Sequence, residues 1–344
     1  MMIRSASNQV DAQISYPSVA IVLCTYQGER FIAAQIESLI AQTWPVSIFV
    51  FDDGSSDRTV ERVSALLRAG KDHLIARDEN HGYVRNFESG ICHVLDQGFQ
   101  YVALCDQDDV WRSERIELGM KLLLAEEENQ SDGVPLLVHS DLLVIDEHDD
   151  VLHDSYFSFR NYKPATHRSL PIVLGQNGVM GNTVLMNASL ARLALPFPQY
   201  LHVHDYWLSL VAELWGERKL IMKPLVRYRI HDTNVSNSRL KLSAGAQPGT
   251  KRSGWNRVVS LDLRLPYRED SRQKVLEDLL DSSDDRRSLT DNQRHLINVF
   301  QDYLLVRKRR IHSATDMLRL GFIKPGLFHR LRFFIVQLIT QRYG

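Results

Sequence analysis

The feature that most limits how this chain can fold is a pair of apolar runs that each break off into aspartates. Ser47-Ile48-Phe49-Val50-Phe51 leads into Asp52-Asp53, and Tyr101-Val102-Ala103-Leu104-Cys105 leads into Asp106-Gln107-Asp108-Asp109. Runs of that length and apolarity predict strands buried on both faces, as in a parallel sheet. Each then delivers its carboxylates at a strand's C-terminal end, the edge where open α/β sheets bind ligands. Asp106, Asp108 and Asp109 repel one another, and burying them unpaired costs several kcal/mol each. A divalent metal holding a diphosphate answers that cost, because hard cations prefer carboxylate oxygen. A solvated acidic turn capping the next helix is the simpler alternative, and the motif alone leaves both open.

The flanking sequence repeats the alternation. Val19-Ala20-Ile21-Val22-Leu23 predicts a first strand, Cys24 to Arg30 a loop, and Phe31 to Gln42 a helix with Phe31, Ile32, Ile36, Leu39 and Ile40 at helical spacing. A helix from Arg58 to Arg68 with Asp57 as its cap, a short strand from His73 to Ala76 and a helix from Asn86 to Leu95 follow. Strands and helices in this order predict a doubly wound, mostly parallel α/β sheet. The 344 residues, 44% of them hydrophobic, suffice for a sizeable core, and 41 Lys and Arg against 42 Asp and Glu leave no global field for nucleic acid. Only Cys24, Cys92 and Cys105 are present, too few for a disulfide framework and suited to a reducing compartment. With no secretory leader and no bilayer-spanning apolar stretch, a cytoplasmic protein is expected. No Gly-x-Gly-x-x-Gly follows the first strand and no Gly-Lys-Ser/Thr loop occurs, which disfavours dehydrogenase and P-loop readings.

Taken together, Thr25-Tyr26 with Gly28, then Gln35, Ser38, Gln42-Thr43, Asp52-Asp53-Gly54-Ser55, Asp57, Asn80-His81-Gly82, Asn86 and Asp106-Gln107-Asp108-Asp109-Val110-Trp111 resemble a family 2 glycosyltransferase of the GT-A fold. Gln27 departs from the family's usual asparagine in that loop. The resemblance implies that Thr25, Tyr26 and Asp53 hold the nucleotide base, that Asp52 supports them, and that Asp106 meets ribose or sugar. It makes Asp106-Gln107-Asp108 the metal-binding acidic triplet, with Asp108 the direct ligand of a divalent Mn2+ or Mg2+. The chemistry is consistent, since an aspartate accepts from the imide N–H of uracil or thymine and an aromatic ring stacks on the base. A dTDP- or UDP-sugar donor is therefore expected.

Further along, Leu136 to Asp141 and Leu142 to Ile145 resume strand character, and residues 148–171 read as an irregular excursion flanking an acceptor cleft. Asp141 is a candidate for sugar contact or a structural turn. Gly178 and Gly181 mark either a close backbone approach or a bulge. In His202-Val203-His204-Asp205-Tyr206-Trp207, position alone makes Asp205 a helix N-cap, while the resemblance makes it the base of an inverting transfer. His202 and His204 are candidates for tuning it, and His204 and Trp207 for acceptor or sugar contact. Tyr228-Arg229-Ile230-His231 is again a shared pattern, implying His231 at the metal and Arg229 at the diphosphate.

The expected organisation is a polar arm (1–17), a transferase domain (18–235), a Gly/Ser/Lys-rich linker (236–256) and a helical C-terminal region (257–344). In that last region the basic, apolar stretch from Leu327 to Ile339 suits either peripheral membrane contact or core packing. The activity expected is inverting, metal-dependent hexosyl transfer, with rhamnosyltransferases of bacterial surface polysaccharide synthesis as the nearest resemblance and a glycan or lipid-linked glycan as acceptor. A sugar-phosphate nucleotidyltransferase and a non-catalytic nucleotide-sugar-binding scaffold are the alternatives. The first should show a Gly-rich basic loop after strand one, and the second should lack Asp205.

Overall fold

The structure, a computed structural model, describes residues 16–160, 162, 169–232, 266–282 and 284–305, with the side chains of 176, 266–270 and 303–305 left aside. In chain order the elements are β1 (Val19–Thr25), α1 (Ile32–Ile40), β2 (Val46–Asp52), α2 (Thr59–Leu66), β3 (His73–Ala76), α3 (Tyr83–Asp96), β4 (Tyr101–Cys105), β5 (Val110–Trp111) and α4 (Arg115–Glu128). They continue with β6 (Leu136–Ile145), β7 (Val151–His153), α5 (Tyr156–Phe159), α6 (Leu170–Gln176), β8 (Leu185–Asn187), α7 (Ala188–Ala194), α8 (His204–Trp215), β9 (Glu217–Arg229), α9 (Pro266–Asp281) and α10 (Asp291–Leu305).

One sheet runs β3-β2-β1-β4-β8-β6-β9-β5, with β7 added alongside β6. β1 pairs in parallel with β2 and β4, β2 with β3, and β6 with β9, while β8 runs antiparallel to both β4 and β6. The expected parallel α/β sheet is present from β3 to β4, and the antiparallel pairings of β5, β7 and β8 make the whole sheet mixed. Its central strands are apolar throughout because helices cover both faces. Alternate side chains divide accordingly: Ala20, Val22, Phe49, Phe51, Val102 and Leu104 enter one apolar cluster, and Ile21, Leu23, Ile48, Val50, Ala103 and Cys105 enter the other.

Local pattern misjudged some segments. Val110 and Trp111 form a two-residue strand, β5, antiparallel to β9. Leu136–Ile145 is one strand whose register shifts around Asp141. Residues 148–171 include β7 and α5, so the excursion is partly ordered structure. The acidic end of α4 is not simply solvated: Glu127 accepts from the Tyr101 hydroxyl at 2.8 Å and from Asn187 Nδ2 at 3.0 Å. The 236–256 and 327–339 stretches lie outside the described residues.

Ten of the twelve residues of α8 are buried, so this helix is a core element, apolar on almost every side. Val275, Leu276 and Leu279 of α9 and Leu296, Ile297 and Phe300 of α10 join the same cluster. The exception on α8 is Glu213, whose Oε1 accepts from Arg218 Nε at 2.8 Å while Arg218 Nη1 meets His139 Nε2 at 3.0 Å, all three buried. Removing one charge strands the other in low dielectric. Glu213→Gln is expected to cost about 3 kcal/mol in denaturant unfolding, with nucleotide affinity unchanged because the pair lies away from the acidic edge.

Candidate active site

The chain leaves β1 towards β2 and β3, then returns on the other side of β1 as β4. That reversal opens a crevice beyond the C-terminal ends of β1 and β4, the usual ligand site in open α/β sheets. Thr25 ends β1 in register with Asp52, and Asp106 follows β4. The two rims are tied by Gln107, whose Oε1 accepts from Thr25 Oγ1 at 2.7 Å and from the Tyr26 N–H at 2.8 Å, while its Nε2 donates to Tyr26 O at 3.1 Å. A Cβ at position 28 would overlap Gln107 Oε1, which explains Gly28. With its backbone so fixed, the Tyr26 ring stands 45% exposed at the rim, available for stacking.

Asp52 and Asp53 are both buried and do different work. Asp52 accepts from Ser55 N at 2.8 Å and from the Ser55 hydroxyl, closing the turn after β2. Asp53 accepts from His81 N at 3.0 Å and Gly82 N at 2.8 Å, shaping the loop before α3. Asp57 accepts from Thr59 N at 3.0 Å at the start of α2 and from Glu29 N at 3.1 Å, joining that loop to the first one. Burial raises the Asp57 carboxyl, but the Thr59 hydroxyl and then these backbone N–H groups donate to it and hold it below the usual range.

The second acidic cluster is built from three differently treated carboxylates. Asp109 is fully buried and accepts from Asn182 Nδ2 and from Arg229 N, so it braces the loop instead of capping α4. Burial, then the charges of Asp108 and Asp106, push its carboxyl up. Asp106 is partly buried, and burial followed by the charges of Asp108 and Asp205 pushes its carboxyl up to about 7. Asp108 Oδ2 lies 2.8 Å from His231 Nε2, with the two side chains 15% and 5% exposed. Arg229 is turned inward and only 1% exposed; it donates to Asp108 O at 2.9 Å, Asp146 O at 3.2 Å and Asp149 Oδ1 at 3.0 Å. Where the resemblance expects a diphosphate contact, the guanidinium in this structure lies over the Phe31 ring, which the His231 ring meets at a tilt, and it latches the acidic loop to the 146–149 turn.

Asp205 sits in the first turn of α8, where Val203 and not Asp205 is the N-cap. The carboxylate is bound instead by a different segment: Asn177 Nδ2 donates to Oδ1 at 2.8 Å and Gly181 N to Oδ2 at 3.1 Å. The loop leading to α8 is held from α3, where Arg85 Nη2 donates to Pro198 O at 2.9 Å and Gln199 O at 3.0 Å, and the Tyr83 hydroxyl donates to His202 O. His204 is stacked on Phe87 at 4.2 Å, buried, and pushed down to about 3 by that burial, so it stays neutral. Trp207 is packed in the core with its indole N–H on Ala194 O at 2.8 Å. Asp141 is buried and accepts from Leu142 N at 2.8 Å, Phe157 N at 3.2 Å and the Ser155 hydroxyl. In this structure His204 and Trp207, expected at the sugar or acceptor, are packed in the core, and Asp141 makes the contacts of the structural-turn alternative. Their buried settings follow from α8 being a core helix and from the bulge in β6.

Asp106, Asp108 and His231 therefore share one cleft edge with Thr25, Tyr26 and Asp53, and Asp205 lies near enough to Asp106 to raise its proton affinity. Among the described residues no three His, Cys, Asp or Glu side chains form a closed metal cage. A single carboxylate and a single imidazole in contact fit Mn2+ or Mg2+ nonetheless, because such ions keep most positions for phosphate oxygen and water. Asn177 and Asn182 went unassigned from sequence, and the tie from Gln107 to Thr25 and Tyr26 went unseen, since an amide carries no local signal of a partner far along the chain.

Residues 20–183 match the sequence profile described as glycosyl transferase family 2. The dTDP-rhamnosyl transferase RfbG of Shigella flexneri is 24% identical over 257 residues, covering 72% of this chain and 86% of that protein. The structure of S. aureus TarS 1-349 in complex with UDP-GlcNAc superposes with a TM-score of 0.55 at 12% identity, over 94% of this chain and 90% of that one. The mannosyltransferase PcManGT from Pyrobaculum calidifontis, solved with GDP-Man and Mn2+, gives 0.54 at 12% identity over 96% and 88%. At such identities the two structures speak for the GT-A fold alone. The profile match over residues 20–183, the transferase relatives and two acidic strand ends meeting at one switch point mark the chain as a glycosyltransferase similar to family 2.

Proposed function

We propose that the enzyme moves a hexosyl group, rhamnose being the first candidate, from a dTDP- or UDP-sugar to a hydroxyl of a glycan or lipid-linked glycan, with inversion, in bacterial surface polysaccharide synthesis. The observation that carries this reading is the Asp205 carboxylate, presented by α8 to the same cleft as Asp106 and held by donors outside its own helix. Asp205 takes the proton of the acceptor hydroxyl as that oxygen bonds to the anomeric carbon and the nucleoside diphosphate departs on the opposite face. Tyr26 stacks on the base, Asp53 and Thr25 shape and line its slot, Asp52 supports the turn, and Asp106 faces ribose or sugar. Asp108 and His231 would hold Mn2+ or Mg2+, whose charge would offset that of the departing diphosphate.

Among the described residues no helix is long and apolar enough to cross a membrane. We place the protein at the cytoplasmic face, where lipid-linked glycans are extended, with peripheral contact through the C-terminal stretch.

A thermal-shift screen of dTDP, UDP, GDP and ADP, each with and without Mn2+, tests the donor assignment. At a hundredfold excess over Kd a bound nucleotide stabilises by about 2.7 kcal/mol, a shift of about 5 °C. That shift is expected for dTDP or UDP with Mn2+; an equal shift with a purine nucleotide would overturn the assignment.

A further inference from the structure

We propose that Asn177 is a positioning residue which, with the backbone N–H of Gly181, aims the Asp205 carboxylate at the acceptor hydroxyl. The inference rests on the reading of Asp205 as base and extends it to the Gln176-to-Asn182 stretch.

Asn177 closes α6 with φ 51° and ψ −161°, a left-handed conformation that glycine adopts freely and other residues rarely. The amide explains the choice of asparagine. Nδ2 donates to Asp205 Oδ1 at 2.8 Å and to Val179 O at 3.1 Å, while Oδ1 lies 3.4 Å from Val179 N and accepts from Ser209 Oγ at 2.9 Å. A backbone carbonyl can only accept and a backbone N–H only donate, so Val179 decides which way the amide faces. It leaves the NH2 for Asp205. Ser209 lies one turn beyond Asp205 on α8, so the same amide touches that helix twice and sets its rotation.

The second donor comes from Gly181. A Cβ there would lie 2.6 Å from His204 Nε2, so only glycine lets this backbone close on α8. His204 fills that space as a neutral ring and brings no competing charge beside the base. Each Asp205 oxygen thus receives one donor from 177–181, a two-point hold that fixes the carboxylate plane. A capping aspartate has no need of this, and glycine at 177 would serve the backbone better. The strained asparagine is explained by the hold on Asp205.

The test uses two variants of the full chain, Asn177→Gly, which relieves the backbone while deleting the amide, and Asn177→Asp, which keeps shape and turns the donor into an acceptor. Turnover is read as dTDP release from dTDP-rhamnose, or UDP release from UDP-glucose if the donor screen selects UDP, with a bacterial lipid extract as acceptor source. Nucleotide affinity with Mn2+ and melting temperature are read in parallel. Both variants are expected to lose about a hundredfold in kcat, the cost of misplacing a reacting group by about 1 Å. Donor KM and nucleotide affinity should stay within about twofold of the parent, and Asn177→Gly should remain folded with a melting temperature a few degrees from the parent's, the relieved backbone partly offsetting the lost hydrogen bonds. Near-parental kcat in either folded variant would overturn the proposal, as would kcat and donor affinity falling together. If Asp205→Asn is inactive while Asn177→Gly turns over normally, the positioning role alone fails; if Asp205→Asn is fully active, the base assignment fails and this proposal with it.

Discussion

Asp205→Asn is expected to abolish transfer, lowering kcat by at least about a thousandfold, while nucleotide affinity with Mn2+ stays within about twofold. The size follows from the task. An acceptor hydroxyl is a poor nucleophile until its proton has somewhere to go, and an amide cannot accept that proton. The affinity follows from position, because the groups placed around the nucleotide belong to β1, β2 and the β4 loop, whereas Asp205 belongs to α8. A small stability loss should accompany the change. Asn177 Nδ2 and Gly181 N both donate to the carboxylate, and a side-chain amide offers one acceptor oxygen for two donors. One donor loses its partner, at about 1 kcal/mol. Thermal melting separates that effect from the catalytic one, and full turnover in a folded Asp205→Asn protein would remove Asp205 as the base.

How far the sequence reveals this site depends on where each residue's partner lies. Asp52, Asp53 and Asp106 could be placed on one edge because a buried parallel strand has an apolar signature and its end is visible as the point where apolarity stops. Asp205 could be placed at a helix start for the same kind of reason, yet what separates a base from a cap is whether the carboxylate turns to its own helix. That depends on Asn177, 28 positions away. Arg229 shows the converse: its strand end is legible, but its inward turn is set by Asp146 and Asp149, some 80 residues earlier. β5 escaped for lack of length, since a two-residue strand carries no periodicity and exists only through its partner β9. The burial of Trp207 and His204 was not legible, because an aromatic looks the same in sequence whether its helix lines a cleft or is buried on nearly every side.

Asp108→Asn should weaken Mn2+-dependent binding of dTDP or UDP by at least about tenfold, roughly 1.4 kcal/mol, and leave metal-free binding nearly unchanged. The neutral amide keeps the volume and the place beside His231 but gives up the negative charge that a hard cation needs. Chelating the metal from the parent protein should reproduce the loss, and calorimetry on both proteins with and without Mn2+ measures it directly. A second consequence concerns Asp106, whose carboxyl is pushed up to about 7, mainly by burial and then by the charges of Asp108 and Asp205. A free aspartate titrates near about 3.9. Between these values the folded protein binds more protons than the unfolded chain, so this group's contribution to metal-free stability falls as pH rises through the window. Removing the Asp108 charge lets Asp106 ionise more readily, and the variant should lose less melting temperature than the parent between pH 4 and about pH 7. Equal pH slopes would mean that the two carboxylates do not share one field, and undiminished nucleotide affinity with Mn2+ would remove Asp108 from the metal.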